Sequence, residues 1–425
     1  MNAICLVIDR LNAGYLGAYG NTWIETPALD RFACEGYTFD HAWSESPRLD
    51  GFYDAVWQGI HPLVREKPTR EKPAGESVSL PRRLAAAGAS TTLLTDEWAV
   101  AETPLALGFD ELVEIEPKAV EKVSRSVEQT HAAECFARII DWLEEADGSK
   151  ADGPFFLWCH LSGLGGAWDA PYAFRERYAE EGDPAPPTEV RPPSLMLEKD
   201  YDPDTLLGIT QSYAGQVSLF DTCIGALGDF ITEGRLAEDT LLAIVSPRGY
   251  PLGEHLRVGP CDEALYGEML HVPMMIRFPG GLGTGKLGRG KLGMGERSQA
   301  LVTPADLGPT LLDLWDQPTE GQFTTAKSLL PLVRGKCETV RDRICMAGVD
   351  DGKGIRVPAW YLRMEDGDRL YAKPDDRWEV NDVADRCAEV VETLHKVADE
   401  FEQHVQAEEP GELSELDDVL VQGLE

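Results

Sequence analysis

Three short segments carry the side chains best suited to chemistry. Asp9 and Arg10 follow an apolar run that begins at Ala3, His160 ends one that begins at Phe155, and Ser246-Pro247-Arg248 follows one that begins at Thr240. A carboxylate, two guanidinium groups and an imidazole are the parts of an ion-pair or oxyanion site, since arginine grips oxygens through a forked, permanently charged donor. For these segments to share one crevice, the three runs must be parallel strands of one sheet. In such sheets the ligand site lies beyond the carboxyl ends of the strands.

The elements that would position them are legible as patterns. The uninterrupted apolar run Ala3–Ile8 and the segments Phe155–His160, Thr240–Ser246 and Val272–Arg277 predict buried strands, and Ser90–Thr95 looks like a further short strand. Helical spacing or helix end signals predict helices from Pro27 to Gly36, Leu80 to Ala87, His131 to Ala146, Tyr213 to Glu233 and Pro304 to Trp315. Lys67–Ser77 reads as a polar loop, Asp183–Ser194 as a Pro-rich surface loop, and Gly280–Gly295 as a Gly-rich basic loop. Strands alternating with amphipathic helices imply an α/β fold, a mostly parallel central sheet flanked by helices. Beyond Gly335 the pattern changes to strand-like pieces at Arg343–Gly348 and Trp360–Arg363, then a helix from Ala384 to Val405. The expected units are an α/β domain over 1–335, a small C-terminal α+β subdomain over 336–405 and a solvated acidic tail over 406–425.

Composition narrows the partners. The chain has 425 residues, 43% of them hydrophobic, which suffices for a large core and excludes a disordered chain. Its formal charge of −35 repels phosphate backbones and anionic lipid, so neither nucleic acid nor a membrane surface is an expected partner. An anionic ligand would need a local positive pocket. Nine scattered cysteines without a CxxC pair do not form a disulfide framework, and Cys5 and Cys159 lie in apolar runs. With no basic stretch ahead of the first strand, the expectation is a cytoplasmic protein.

Several phrases resemble the sulfatase branch of the alkaline-phosphatase superfamily. They are LVIDRLNAGYLGAYGNTWIETPALDRFACEGYTFDHAWSESP at the start, then FFLWCHL with WDAP, GEH with LYGEMLHVPMMIRFPG, ADLGPTLLDL and SLLPLVRG, in family order. The resemblance implies that fold, with a four-stranded antiparallel sheet in the C-terminal subdomain. It also implies carboxylates that hold calcium, a Cys or Ser nucleophile, and Lys and His side chains that grip the sulfate.

Against that pattern the chemical positions change while the packing phrases persist. Asp9 remains, but Arg10 follows it, and Ser246-Pro247-Arg248-Gly249 stands where the family reads Ser-Asp-His-Gly or a close variant. One carboxylate cannot hold calcium, which takes six to eight oxygens. Leu49 occupies the nucleophile position, with Gly51, Phe52 and Tyr53 in place of Pro, Ser and Arg; the nearest hydroxyls are Ser44 and Ser46. Leu164-Gly165-Gly166-Ala167 replaces the Pro-His-x-Pro phrase, and Arg257 is the one base from Leu256 to Tyr266, where a lysine is expected. His160 and Gly253-Glu254-His255 are retained, His160 within its strand as a core residue or as a support behind the site.

The expectation is therefore a sulfatase-like protein without a nucleophile, needing no cofactor, with Asp9 as a vestigial metal ligand. Arg10 and Arg248 replace the cation beside Asp9 and, with His255, bind an anion; alternatively the arginines only plug the old cavity. The expected partners are a small anionic or sulfated ligand or a sulfatase-like protein. The other reading is a sulfo- or phospho-ester hydrolase with atypical residues, which would need calcium or another divalent ion. Phe52, Tyr53, Trp57, Trp43, Trp168 and Tyr172 bring rings near the crevice, where they serve the core or stack on a ligand.

Overall fold

A computed structural model describes residues 1–64, 79–148, 153–234, 236–282, 295–319, 323–409 and 411–424. The polar loop Lys67–Ser77 and most of the Gly-rich loop lie outside the described residues.

The central sheet contains β1 (Asn2–Ile8), β2 (Tyr37–Ala42), β3 (Ser90–Thr95), β4 (Glu111–Glu114), β5 (Phe155–Leu161), β6 (Thr240–Val245), β7 (Met274–Arg277) and β8 (Glu296–Val302). Their order is β8-β2-β7-β6-β1-β5-β3-β4. All neighbours are parallel except β7, which runs antiparallel to β2 and β6. The strand β1 sits between β5 and β6, with Ile8 opposite Leu161 and Val7 opposite Val245. The three segments expected to converge therefore leave the sheet side by side.

Alternation along β1 explains why its run is apolar throughout. Ile4, Leu6 and Ile8 enter the core on one face, and Ala3, Cys5 and Val7 enter the core on the other. The first face is covered by α4 (His131–Gly148) and α5 (Pro203–Glu233), with α1 (Pro27–Glu35) beside α5. The second is covered by α2 (Leu49–Tyr53), α3 (Leu80–Ala86) and α6 (Leu307–Leu314). The expected helix from Tyr213 starts ten residues earlier, at Pro203. Its cap is Asp202, whose side chain accepts from the Asp204 N–H, and Pro203 fills the first helical position.

The C-terminal subdomain is an antiparallel sheet of β9 (Ile344–Ala347), β10 (Lys353–Val357), β11 (Trp360–Glu365) and β12 (Gly367–Ala372). It packs on α7 (Ala388–Gln406) through Val390, Leu394, Ala398, Phe401 and Val405, the stripe expected of a helix against a sheet. A mixed cluster of Trp43, Leu265, Leu270, Leu301, Met346 and Tyr361 joins this subdomain to the main sheet.

The acidic tail is not wholly solvated. Residues Asp418–Gln422 form α8, and Leu420 is fully buried against the subdomain. The Leu420 carbonyl accepts from the Ala359 N–H, and the Val419 carbonyl accepts from Trp360 Nε1 at 2.8 Å. Leu413, Leu416 and Val419 join the same core. The sparse apolar residues of the tail recur on one side, which acidic composition conceals. Leu420→Ala is expected to destabilise the chain by about 2–5 kcal/mol, read as a lower unfolding midpoint; an unchanged midpoint would detach the tail from the core.

Candidate functional site

The site is built where β1, β5 and β6 end. The Asp9 N–H donates to the Leu161 carbonyl and the Asp9 carbonyl accepts from the Leu164 N–H, so the exit of β5 holds the Asp9 backbone on both sides. This close approach requires Gly163, where an added Cβ would lie 2.4 Å from the Asp9 carbonyl oxygen. Arg10 takes a left-handed conformation with φ 62°, an arrangement that costs a non-glycine residue about 1–2 kcal/mol. Its carbonyl accepts from the Tyr213 hydroxyl at 2.9 Å, and that hydroxyl accepts from the Asn12 N–H at 3.0 Å. On the β6 side, Ser246 Oγ accepts from the Leu11 N–H and donates to the Arg248 carbonyl. The turns after β1 and β6 are thus tied to each other.

These ties bring both guanidinium groups to Asp9. Arg248 donates from Nε to Asp9 Oδ1 at 3.0 Å and from Nη2 to Asp9 Oδ2 at 2.9 Å. Arg10 Nε lies 4.0 Å from Asp9 Oδ2. The same two arginines share a second carboxylate, Asp262, which accepts from Arg248 Nη1 at 2.6 Å and from Arg10 Nη2 at 2.8 Å. Asp9 is 2% exposed, whereas the Asp262 side chain is 39% exposed, so the quartet opens to solvent through Asp262. Burial alone would raise the Asp9 carboxyl; the Arg248 and Arg10 charges overcome it and hold the group below the ordinary carboxylate range. Burial opposes the Arg248 charge, and Asp9 with Asp262 more than restores it.

The retained His160 is a core residue. Tyr53 OH accepts from Trp158 Nε1 at 3.2 Å, so its own proton goes to His160 Nδ1, 2.6 Å away. Burial holds His160 down at about 4, so it is neutral with its proton on Nε2. Phe52, Tyr53, Trp57, Trp43 and Trp168 are all buried, as core rings are. Leu49, the first residue of α2, packs against the core of that face. The nearby Ser44 hydroxyl donates to the Ser46 carbonyl, and Ser46 Oγ accepts from the Arg48 N–H.

His255 lies in a different cluster from Arg10 and Arg248. Its Nε2 is 3.5 Å from both Glu268 Oε2 and Glu379 Oε2, and its ring stacks on Tyr266. Glu379 also meets Lys373 Nζ at 3.4 Å and Arg363 Nη1 at 3.7 Å. Burial alone would lower His255; its two carboxylate neighbours raise it to about 9.

The residues at the family's metal position do not fit calcium. Both Asp9 oxygens accept from Arg248, and Pro247 has no side-chain donor atom. Two other groups of potential ligand atoms lie within 4.8 Å of one another: Asp96, His131 and Cys135, and His255, Glu268 and Glu379. Asp96 is already bonded to Ser162 N, Ser162 Oγ and His131 Nε2, and burial pushes the Cys135 thiol up. In the second group Glu379 is neutralised by Lys373 and Arg363.

Sequence reading missed Asp262. The resemblance directs attention to a cation in Leu256–Tyr266, whereas the residue of that stretch that reaches the site is an acid facing two arginines.

The fold and this crevice define an alkaline-phosphatase-like α/β protein. The sulfatase family profile matches residues 1–317, and the chain belongs to the sulfatase family. An arylsulfatase of Clostridium perfringens is 41% identical over 46 residues, a match spanning 11% of this chain and 10% of that protein's own length. The phosphonate monoester hydrolase of Agrobacterium radiobacter superposes with a TM-score of 0.71 at 16% identity, covering 95% of both chains. A protein solved with its substrate D-glucosamine-2-N,6-O-disulfate has a TM-score of 0.73 at 19% identity, covering 96% of this chain and 99% of that one. A 2-O glycosaminoglycan sulfatase has a TM-score of 0.72 at 15% identity, covering 95% of this chain and 92% of that one. Identities this low show a shared fold.

Two measurements test the charges. Asp9→Ala leaves Arg248 buried without its main partner and is expected to destabilise the chain by about 3–5 kcal/mol; unchanged stability would mean that the pair does not matter. An imidazole raised above its ordinary 6.5 stabilises the fold below that pH, and the stabilisation is lost as pH rises through about 9. Between those values the unfolding midpoint of the intact chain should fall further than that of His255→Asn. Equal falls would show that His255 carries no charge in its network.

Proposed function

We propose that this sulfatase-family protein has lost sulfuric-ester hydrolysis and acts as an anion-recognising or partner homologue of the family's enzymes. One observation carries the reading: Arg248 places two donors on the two oxygens of Asp9, where the family would hold a cation. A fixed guanidinium neutralises Asp9, but unlike a metal it has no open coordination position for an attacking group. Leu49 adds no nucleophilic atom.

Asp262 acts in this reading as an internal stand-in for a ligand. It is a half-exposed carboxylate bridging Arg10 and Arg248. A small sulfate, phosphate or carboxylate group would take its place on the same donors, while Asp9 stays paired. The arginines then serve both as a plug for the cation seat and as an anion grip. A second copy of the family fold is the protein partner this role suggests. The nine cysteines are free thiols, which suits a reducing, cytoplasmic setting.

The second reading is a divalent-metal-dependent sulfo- or phospho-ester hydrolase with atypical residues. The observation in its favour is the retained Asp9 carboxylate at the end of β1. Elemental analysis after dialysis against calcium and magnesium, paired with turnover of an aryl sulfate and a phosphonate monoester, separates the two. The expected result is no stoichiometric metal and no turnover, with Asp262→Asn binding inorganic sulfate more tightly than the unaltered chain. One divalent ion per chain, or turnover abolished by Asp9→Ala, would establish the hydrolase instead.

A further inference from the structure

A second positive site lies at the seam between the main sheet and the C-terminal subdomain. A cavity of about 500 Å³ is lined there by Arg297, Arg356, Lys373 and Arg377, with Asp40 and Trp43 on the same wall. Four cations face one carboxylate in a chain whose formal charge is −35. Such a concentration has to be built deliberately against the overall field.

The bonding of these cations is unequal. Arg297 pairs with Asp40, which also accepts from Gln299 Nε2. Lys373 donates to the Asp376 and Arg377 carbonyls and meets Glu379, a carboxylate it shares with His255 and Arg363. Arg377 donates from Nη1 to the Tyr19 carbonyl at 2.9 Å. Arg356 is the odd member. It is 2% exposed, its Nε has no hydrogen-bond partner, and its Nη1 reaches only the Trp360 carbonyl, at 3.4 Å. Its guanidinium lies 5.8 Å from the Trp43 ring centroid, and no ion-pair partner for it occurs among the described residues.

A buried guanidinium without a counter-ion is costly, and the cost falls away when an oxyanion accepts its donors. The imidazoles on the wall add no further positive charge: burial holds His271 at about 3 and keeps His41 below its ordinary value. Burial likewise lowers Arg356, to about 9, and the Glu379 charge only partly offsets that burial.

We infer that this cavity is a binding site for a small oxyanion, a phosphate, sulfate or carboxylate group, held by Arg356 and Arg377 with Lys373 and Arg297 around it. The cavity exceeds the size of one such group and leaves room for the molecule that carries it. This site is separate from the Asp9 crevice and does not depend on whether that crevice turns over an ester.

Calorimetric titration of the full chain with inorganic phosphate, inorganic sulfate and glucose 6-phosphate at low ionic strength tests it. One oxyanion per chain is expected to bind and to raise the unfolding midpoint. Arg377→Gln, at the partly solvated wall, should weaken binding roughly tenfold through loss of a charge-assisted hydrogen bond. Asp40→Asn should strengthen it by releasing Arg297. Arg356→Gln should abolish it; if that variant does not fold, the other two carry the test. Tighter binding of glucose 6-phosphate than of phosphate supports a site for an ester, and the reverse order supports one for the free ion. No binding of any probe, or binding indifferent to both Arg377→Gln and Asp40→Asn, overturns the site. Binding that ignores Arg377→Gln but strengthens in Asp262→Asn places the anion in the Asp9 crevice, so this inference falls while the reading of that crevice stands.

Discussion

A carboxylate at the end of the central strand has to be neutralised, and the arrangement of the crevice follows from that need. Asp9 is buried where three strands end, and its backbone is fixed there by β5. Water cannot solvate it, so the choice lies between a proton, a metal and a side-chain cation. Arg248 makes that choice with two parallel hydrogen bonds. Arg10 adds a second charge by adopting a left-handed backbone that Tyr213 and Ser246 help to hold. Two arginines against one carboxylate would leave an excess positive charge, and Asp262 balances it from the solvent side.

The same balance is struck differently at the seam with the C-terminal subdomain. Glu379 is shared among His255, Arg363 and Lys373, while His255 also meets Glu268 and Arg363 also meets Glu365. Arg356 stands nearby, within the field of Glu379 but with no direct ion pair among the described residues. In the Asp9 crevice every arginine has a carboxylate within reach, whereas at the seam the cations outnumber their partners. With burial holding Arg356 at about 9, the surplus persists through neutral pH.

Much of the fold could be read from the chain because its strongest patterns are local. The strands β1, β5, β6 and β7 sit near the centre of the sheet, so their runs are largely apolar, whereas β3 carries Ser and Thr at four of its six positions. The edge strands β4 and β8 give no such signal, with Glu111, Leu112 and Glu114 exposed in one and Glu296, Arg297 and Gln299 in the other. The start of α5 at Pro203 was legible only through its cap, since the apolar period there is diluted. Leu420 was hidden in an acidic segment, where composition outweighed three or four well-spaced apolar side chains. Within the site, Arg10, Arg248 and Asp9 could be named together because each ends or follows a strand. His255 was grouped with them on family order, yet its partners are Glu268 and Glu379.

By itself the sequence determined the class of fold and the residue types that stand at Leu49, Pro247 and Arg248. These are properties of residue identity, and no folding can give leucine a nucleophilic atom or proline a side-chain donor. Only the tertiary structure decided which charges meet. The partners of Arg248 are 239 and 14 positions away, and β10 places Arg356 in the seam between the two parts of the chain, where it meets no direct ion-pair partner among the described residues. Electrostatic pairing depends on distance in space and on burial, and neither can be read from separation along the chain.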